Sequence, residues 1–282
     1  MTILSAVVVA QALGFPEGPL VIGAGRLAFV EEYRGRISMW EDGDCKTLAV
    51  VGGCPNGLAL GPDGRLYFTQ NSGGGGAYRC PDPRTPGIFA LDPGDGKVEE
   101  ITTSAEGRPL RQPNDICFGP DRALYFTDPG SDPCPQPGWI CRHVDQTTEI
   151  VHDVGPTFPN GIGFDNDNRL LWAETRTKRI MTSGNPPSTV AQLDQEGRAD
   201  GFAASANGTL VVATLSSGGI DIVPPGQDGD RDVRRERWAE GVVATNCALE
   251  GSTLWVTDAS SSPGEIEQPT GKLWRLETTL ER

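Results

Sequence analysis

The decapeptide GPDGRLYFTQ (61–70) is a polar turn running straight into a short apolar strand, and its design recurs along the chain. GAGRLAFVEE (23–32), GPDRALYFTD (119–128), DNDNRLLWAE (165–174), SANGTLVVAT (205–214) and LEGSTLWVTD (249–258) repeat it, which makes six copies. Their aligned leucines, Leu27, Leu66, Leu124, Leu170, Leu210 and Leu254, stand 39, 58, 46, 40 and 44 residues apart. That is the period of propeller blades, each a four-stranded sheet that buries its faces only against its neighbours. Asp63-Gly64 and Asn207-Gly208 supply the positive φ that a tight hairpin turn requires, and the large apolar residues that follow suit a strand packed between sheets. The expected fold is all-β: a six-bladed β-propeller with four-stranded blades around a central channel, one domain over residues 1–282.

Composition agrees with short strands joined by tight turns, since 37 Gly and 23 Pro are spread over 282 residues. The long 58-residue interval contains Gly73 to Gly76 and the run from Cys80 to Gly87, and its excess is expected in a loop on one face. The four glycines have no following Gly-Lys-Ser/Thr, which argues against a phosphate cradle. Asp165-Asn166-Asp167-Asn168 imitates the start of a calcium loop but has neither its Gly nor its distal Glu, so a hairpin turn is expected there.

A net charge of −14 excludes a surface built to neutralise nucleic-acid phosphates. The basic cluster from Arg231 to Arg237 alternates with acidic residues and reads as a solvated loop. Seven cysteines without a C-x-x-C pair point to free thiols in a reducing, cytoplasmic setting, with a disulfide among Cys80, Cys134 and Cys141 as the lesser expectation. The apolar run Leu4 to Leu13 has no Lys or Arg before it and reads as a strand rather than a signal peptide. No stretch approaches the ~20 apolar residues of a membrane span. Nothing in the sequence sets an oligomeric state.

Ten residues before each repeat leucine stand Glu17, Asn56, Asn114, Asn160, Asp200 and Ala244. Five of the six bear a side-chain oxygen, in a recurring setting: Pro16-Glu17-Gly18, Pro55-Asn56-Gly57, Pro113-Asn114-Asp115, Pro159-Asn160-Gly161 and Asp200-Gly201. Equivalent positions on the innermost strands converge on the propeller axis, so oxygen donors from five directions would meet there. Such a set suits one hard divalent cation, Ca²⁺ first, with Mn²⁺, Mg²⁺, Zn²⁺ or Fe²⁺ able to use the same donors. Turn chemistry explains any single Asn-Gly or Asp-Gly but not a Glu in the first copy.

At these residues the chain resembles the SMP-30/gluconolactonase/luciferin-regenerating-enzyme family. The resemblance runs from Phe15-Pro16-Glu17-Gly18-Pro19 to Leu254-Trp255-Val256-Thr257-Asp258, and its most specific pieces are Pro113-Asn114-Asp115, Phe158-Pro159-Asn160-Gly161 and Asp200-Gly201-Phe202. It implies a metal held by Glu17, Asn160 and Asp200, with Asn114 as substrate contact or, as in the family's phosphatase branch, fourth ligand. Some members have a substrate-gripping Arg two residues before that Asn; here Gln112 stands in that place and Arg111 one residue further back. Asn56, Arg111 and Gln112 are therefore the expected substrate contacts, and Tyr33 and Cys247 candidate lining. The implied activity is hydrolysis of a small-molecule lactone, with Asp200 as the catalytic base. A phosphotriesterase-like hydrolase or a non-enzymatic binding propeller are the alternatives. His143 and His152 belong to no recognisable nucleophile system; His152, eight residues before Asn160, either approaches the channel or lies in the preceding strand.

Overall fold

The computed structural model describes residues 1–71, 80, 82–130, 136–193, 197–215, 218–260 and 269–280. The glycine run Gly73 to Gly76 and Cys134 lie outside them. The strands form six four-stranded antiparallel sheets arranged as the blades of a β-propeller. From the innermost strand outward, blade 1 is Pro16–Gly23, Arg26–Glu31, Arg36–Glu41 and Asp44–Val50; blade 2 is Pro55–Leu60, Leu66–Gln70, Gly87–Leu91 and Val98–Thr102. Blade 3 is Ile116–Phe118, Leu124–Asp128, Gly138–Val144 and Thr147–Gly155, and blade 4 is Pro159–Phe164, Leu170–Glu174, Arg179–Thr182 and Ser188–Gln192. Blade 5 is Arg198–Ala204, Leu210–Leu215, Gly219–Val223 and Arg234–Glu236.

Blade 6 takes three strands from the C-terminal end, Ala244–Glu250, Thr253–Asp258 and Gly271–Thr278, and its outermost strand, Ile3–Leu13, from the N-terminal end. The apolar run near the N-terminus is thus a strand, and its pairing with Gly271–Thr278 closes the ring. Among the described residues the one helical turn is Glu32–Arg34, and no helix is long and apolar enough to cross a membrane.

The repeat leucines lie on the second strand of each blade and are all buried, between 0% and 6% exposed. They knit neighbouring blades together: Leu66 of blade 2 packs with Ala28, Val30 and Ile37 of blade 1, and Leu254 of blade 6 with Val211 and Ala213 of blade 5. Each such burial contributes about 2 kcal/mol. The turn before each leucine contains a left-handed residue: Gly25, Gly64, Arg122, Asn168, Gly208 and, in blade 6, Gly251. Asn168 takes this role in the expected hairpin turn, where Asp165 accepts hydrogen bonds from the Asp167 and Arg169 amides.

The leucine-to-channel count depends on the length of that turn. Leu66, Leu124, Leu170 and Leu210 pair with the residue six before them, whereas Leu254 pairs with Leu249, five before. Blade 6 is one residue shorter here. Its channel position is therefore Thr245, not the Ala244 reached by counting ten residues back.

Candidate metal centre and active site

The innermost strands share one irregularity. In blade 2, Pro55 pairs with Gln70 but Leu58 with Phe68, so three steps on one strand face two on the other; Pro159 to Ile162 and Ala199 to Phe202 do the same. Glu17 to Leu20 repeats it in blade 1. Such a bulge breaks the strict alternation of side chains and re-aims one of them. The bulges contain Asn56, Asn160 and Asp200, and in blade 1 the bulge follows Glu17 directly; these four residues are 3% (Glu17), 5% (Asn56), 4% (Asn160) and 4% (Asp200) exposed. Asn114 precedes Ile116–Phe118 in the same register and is partly exposed, with no hydrogen bond from its side chain among the described residues.

Hydrogen bonds between blades hold this ring at one height. Thr69 Oγ1 donates to the Asn114 carbonyl at 2.5 Å, Thr127 Oγ1 to the Asn160 carbonyl at 2.8 Å and Thr175 Oγ1 to the Ala199 carbonyl at 2.7 Å. Thr245 Oγ1 donates to the Pro16 carbonyl at 2.8 Å. Its hydroxyl thus serves the seam between blades 6 and 1, which is why blade 6 offers no donor to the ring.

A second layer lies one residue further on: Gly18, Gly57, Asp115, Gly161, Gly201 and Asn246. Four glycines leave the space that two side chains fill from opposite sides. Asn246 Nδ2 donates to Asp115 Oδ2 at 3.3 Å across 131 residues of chain. A Cβ on Gly201 would stand 1.9 Å from Asn246 Cγ. This pair forms a floor beneath the ring, and of the two only Asp115 belonged to a quoted motif in the sequence.

The electrostatics are those of buried carboxylates set close to one another. Burial, then Asp200, Glu32 and Asp115 in turn push the Glu17 carboxyl well above its usual range. Burial, then Asp115 and Glu32 do the same to Asp200, against a hydrogen bond from Asn160. Burial raises Asp115 to about 6 and Glu32 to about 7, the latter in spite of hydrogen bonds from Asn56, Cys54 and Asn71. Among the described residues the cation acting on Asp200 is the exposed Arg198, the weakest of the influences on it. Glu32 ends the blade 1 copy of the repeat, but nothing in that copy marked it as a neighbour of the ring, because it follows the second strand of blade 1 in a helical turn.

Among the described residues, no three His, Cys, Asp or Glu side chains are grouped as a metal cage. A cation at the ring would depend on amide oxygens as well as the Glu17 and Asp200 carboxylates. The donor chemistry fits a hard ion: Asp200 raises the proton affinity of Glu17, Asp115 and Glu32 raise that of both, and a dication relieves that repulsion.

The other sequence candidates fall in different places. Arg111 lies over the Trp139 ring, its Cζ 3.9 Å from the ring centroid, and donates from Nη2 to the Pro137 carbonyl at 2.7 Å. The Gln112 amide nitrogen of the backbone is held by Asp128, while its Oε1 is buried with no donor among the described residues. Cys247 Sγ faces the Val211 carbonyl at 3.2 Å in the packing between blades 5 and 6. Tyr33 is buried against Phe15. His152 lies on the outermost strand of blade 3, hydrogen-bonded to Ser183 and against Trp172, and His143 is hydrogen-bonded to Thr148; neither belongs to the innermost strands. Cys80 and Cys141 are free thiols.

A family model described as SMP-30/Gluconolactonase/LRE-like region matches residues 15–260. The adipocyte plasma membrane-associated protein of Gallus gallus is 26% identical over 190 residues, 57% of this chain and 43% of that protein. The chain thus spans less than half the length of the curated relatives it matches. Among solved structures, a gluconolactonase from Xanthomonas campestris has a TM-score of 0.74 at 21% identity, covering 96% of this chain and 89% of that one. The calcium-binding protein regucalcin from Agrobacterium tumefaciens has a TM-score of 0.75 at 18% identity, covering 98% and 96%. At these identities the structural likeness speaks for the fold.

Proposed function

The chain belongs to the SMP-30/gluconolactonase/LRE-like family, and we propose that it is a metal-dependent lactonase, a single propeller domain that opens a small cyclic ester with water. The observation that carries the reading is the pair of buried carboxylates, Glu17 and Asp200, which face the axis with no ion pair to a basic side chain among the described residues. Glu17, Asn160 and Asp200 would hold one divalent ion, calcium foremost, with Asn114 as substrate contact or fourth ligand. When bound, that ion supplies polarisation of the ester carbonyl and lowers the pKa of water.

The chain's own groups do the rest. Asp200 accepts a proton from the attacking water; the new C–O bond forms at the carbonyl carbon, the ring C–O bond breaks, and the departing alkoxide takes up a proton to leave a hydroxy acid. Asn160 hydrogen-bonds Asp200 and fixes which carboxylate oxygen is free for that proton. Glu17 balances charge. Asp115 and Asn246 close the floor, and the partly exposed Asn114 stands where a substrate would arrive.

The test is proton release from γ- and δ-lactones by chelator-treated protein, with and without Ca²⁺, Mn²⁺, Mg²⁺, Zn²⁺ and Fe²⁺. Turnover restored by metal and abolished by Glu17→Gln is the expected result; silence on every lactone with metal supplied overturns it. Asp200→Asn is expected to lose turnover more completely than metal binding, and equal loss of both removes its role as base.

A further inference from the structure

Glu32 is a buried carboxylate near the ring that belongs neither to it nor to the floor beneath it. It sits in the helical turn Glu32–Arg34, ended by Gly35 in the left-handed conformation, where a Cβ would meet the Gly52 backbone at 2.9 Å. Its neighbour Glu31 takes the local cations, with Arg34 at 3.0 Å and Arg36 at 2.6 Å. Glu32, 5% exposed, is left with polar donors instead. Its Oε1 accepts from Asn56 Nδ2 in a short hydrogen bond and from Asn71 Nδ2 at 3.3 Å, and its Oε2 from the Cys54 thiol at 3.7 Å.

An ionised carboxylate only accepts and an amide NH₂ only donates, so the contact with ionised Glu32 fixes which end of the Asn56 amide faces which way. The nitrogen points to blade 1, and Oδ1 points away from it. No hydrogen bond reaches Asn56 Oδ1 among the described residues, and it is not one of the buried atoms left without a partner. It is therefore an acceptor with a free lone pair, on a residue of the innermost strand of blade 2.

We propose that Glu32 is a positioning residue for substrate selection: by holding the Asn56 amide nitrogen it fixes Asn56 Oδ1 as a hydrogen-bond acceptor in the channel, which selects a lactone bearing a ring hydroxyl over one without it. The inference rests on the lactonase reading. The hydroxyl donates to Asn56 Oδ1; a lactone lacking it leaves a partly desolvated acceptor unpaired, which costs affinity and transition-state binding. Asn56 belongs to blade 2, apart from the blades that supply Glu17, Asn160 and Asp200, so its role separates from metal binding.

The experiment compares kcat/KM for D-glucono-δ-lactone and δ-valerolactone, the same ring with and without hydroxyls, in wild type, Glu32→Gln, Glu32→Leu and Asn56→Leu. Gln keeps an oxygen where both amides donate, and its variant is expected to keep the preference. Glu32→Leu and Asn56→Leu are each expected to reduce the ratio by about tenfold, the worth of one hydrogen bond to a partly buried acceptor. A ratio unchanged in a folded Glu32→Leu, or both substrates lost in equal proportion, overturns the proposal. If Glu32→Leu does not fold, Asn56→Leu decides alone, and an unchanged ratio there overturns it as well. Should wild type with metal supplied hydrolyse neither of these nor any other γ- or δ-lactone, the lactonase reading falls. Calorimetric binding of gluconate against 5-hydroxypentanoate then tests the acceptor separately: equal affinities in wild type overturn it, and a gluconate preference lost in Asn56→Leu supports it.

Discussion

Replacing Gly201 by alanine should damage the protein through a residue 45 positions away in the chain. A Cβ at Gly201 would meet Asn246 Cγ at 1.9 Å, Oδ1 at 2.0 Å and Nδ2 at 2.4 Å, distances no packing tolerates. Asn246 cannot yield a few tenths of an ångström, because its Oδ1 accepts from the Cys247 amide at 2.8 Å and its Nδ2 donates to Asp115. It has to leave. Overpacking costs about 1–3 kcal/mol, and a lost hydrogen bond to a buried carboxylate about 1.5–3 kcal/mol more. Together that is about 4 kcal/mol, or a fall in Tm of roughly 8 °C for a chain of this size. Gly163→Ala is the control: its Cβ would lie 3.4 Å from the Phe202 ring, ordinary contact, and Tm should move by under about 2 °C. The double variant Gly201→Ala/Asn246→Gly restores the space, so it should recover the overpacking part although it still lacks the bond to Asp115. Thermal melts read by circular dichroism suffice. A Gly201→Ala protein as stable as wild type, or a double variant no better than the single, would refute the account of the channel floor.

Two further outcomes follow from the site and the ring closure. Glu32 is raised from 4.5 to about 7 in the folded chain, so the folded state binds more protons than the unfolded one between those values. Its contribution to stability is present below pH 4.5 and lost as pH rises through 7, about 3 kcal/mol in all. Metal-free wild type should therefore gain stability relative to Glu32→Gln as pH falls from 8 to 5 in urea titrations, and parallel curves would contradict the assignment. Removing residues 1–10 takes away most of the outermost strand of blade 6 and uncovers the faces on which Ile3, Ala6, Val8 and Val9 pack. Losing about 5 kcal/mol of apolar burial should lower Tm by about 10 °C, and an unchanged melt would show that this pairing does not hold the ring.

The repeat that announced six blades is local chemistry. A left-handed turn residue followed by alternating apolar side chains specifies a hairpin whatever lies elsewhere, which is why Gly64, Gly208 and the six leucines could be read directly. The register of Glu17, Asn56, Asn160 and Asp200 was legible for the same reason, because turn length and strand length fix the distance from leucine to channel. Where the turn loses one residue, as before Leu254, counting misled and Thr245 replaced Ala244.

What the sequence alone determined, then, is the all-β repeat, its blade number and the oxygen-bearing ring, all encoded within spans of about a dozen residues. The tertiary structure decided what depends on closing that ring. It paired Ile3–Leu13 with Gly271–Thr278, joined Asp115 to Asn246 across the axis, and set Glu32 of blade 1 against Asn56 of blade 2. It also put His152 on an outer strand, remote from the innermost strands that bear the ring. These partners lie far apart in the chain, and no local propensity specifies them. They meet because six twisted sheets bury their apolar faces only by packing in a circle, which brings the innermost strands, and the polar side chains their bulges turn inward, around one axis.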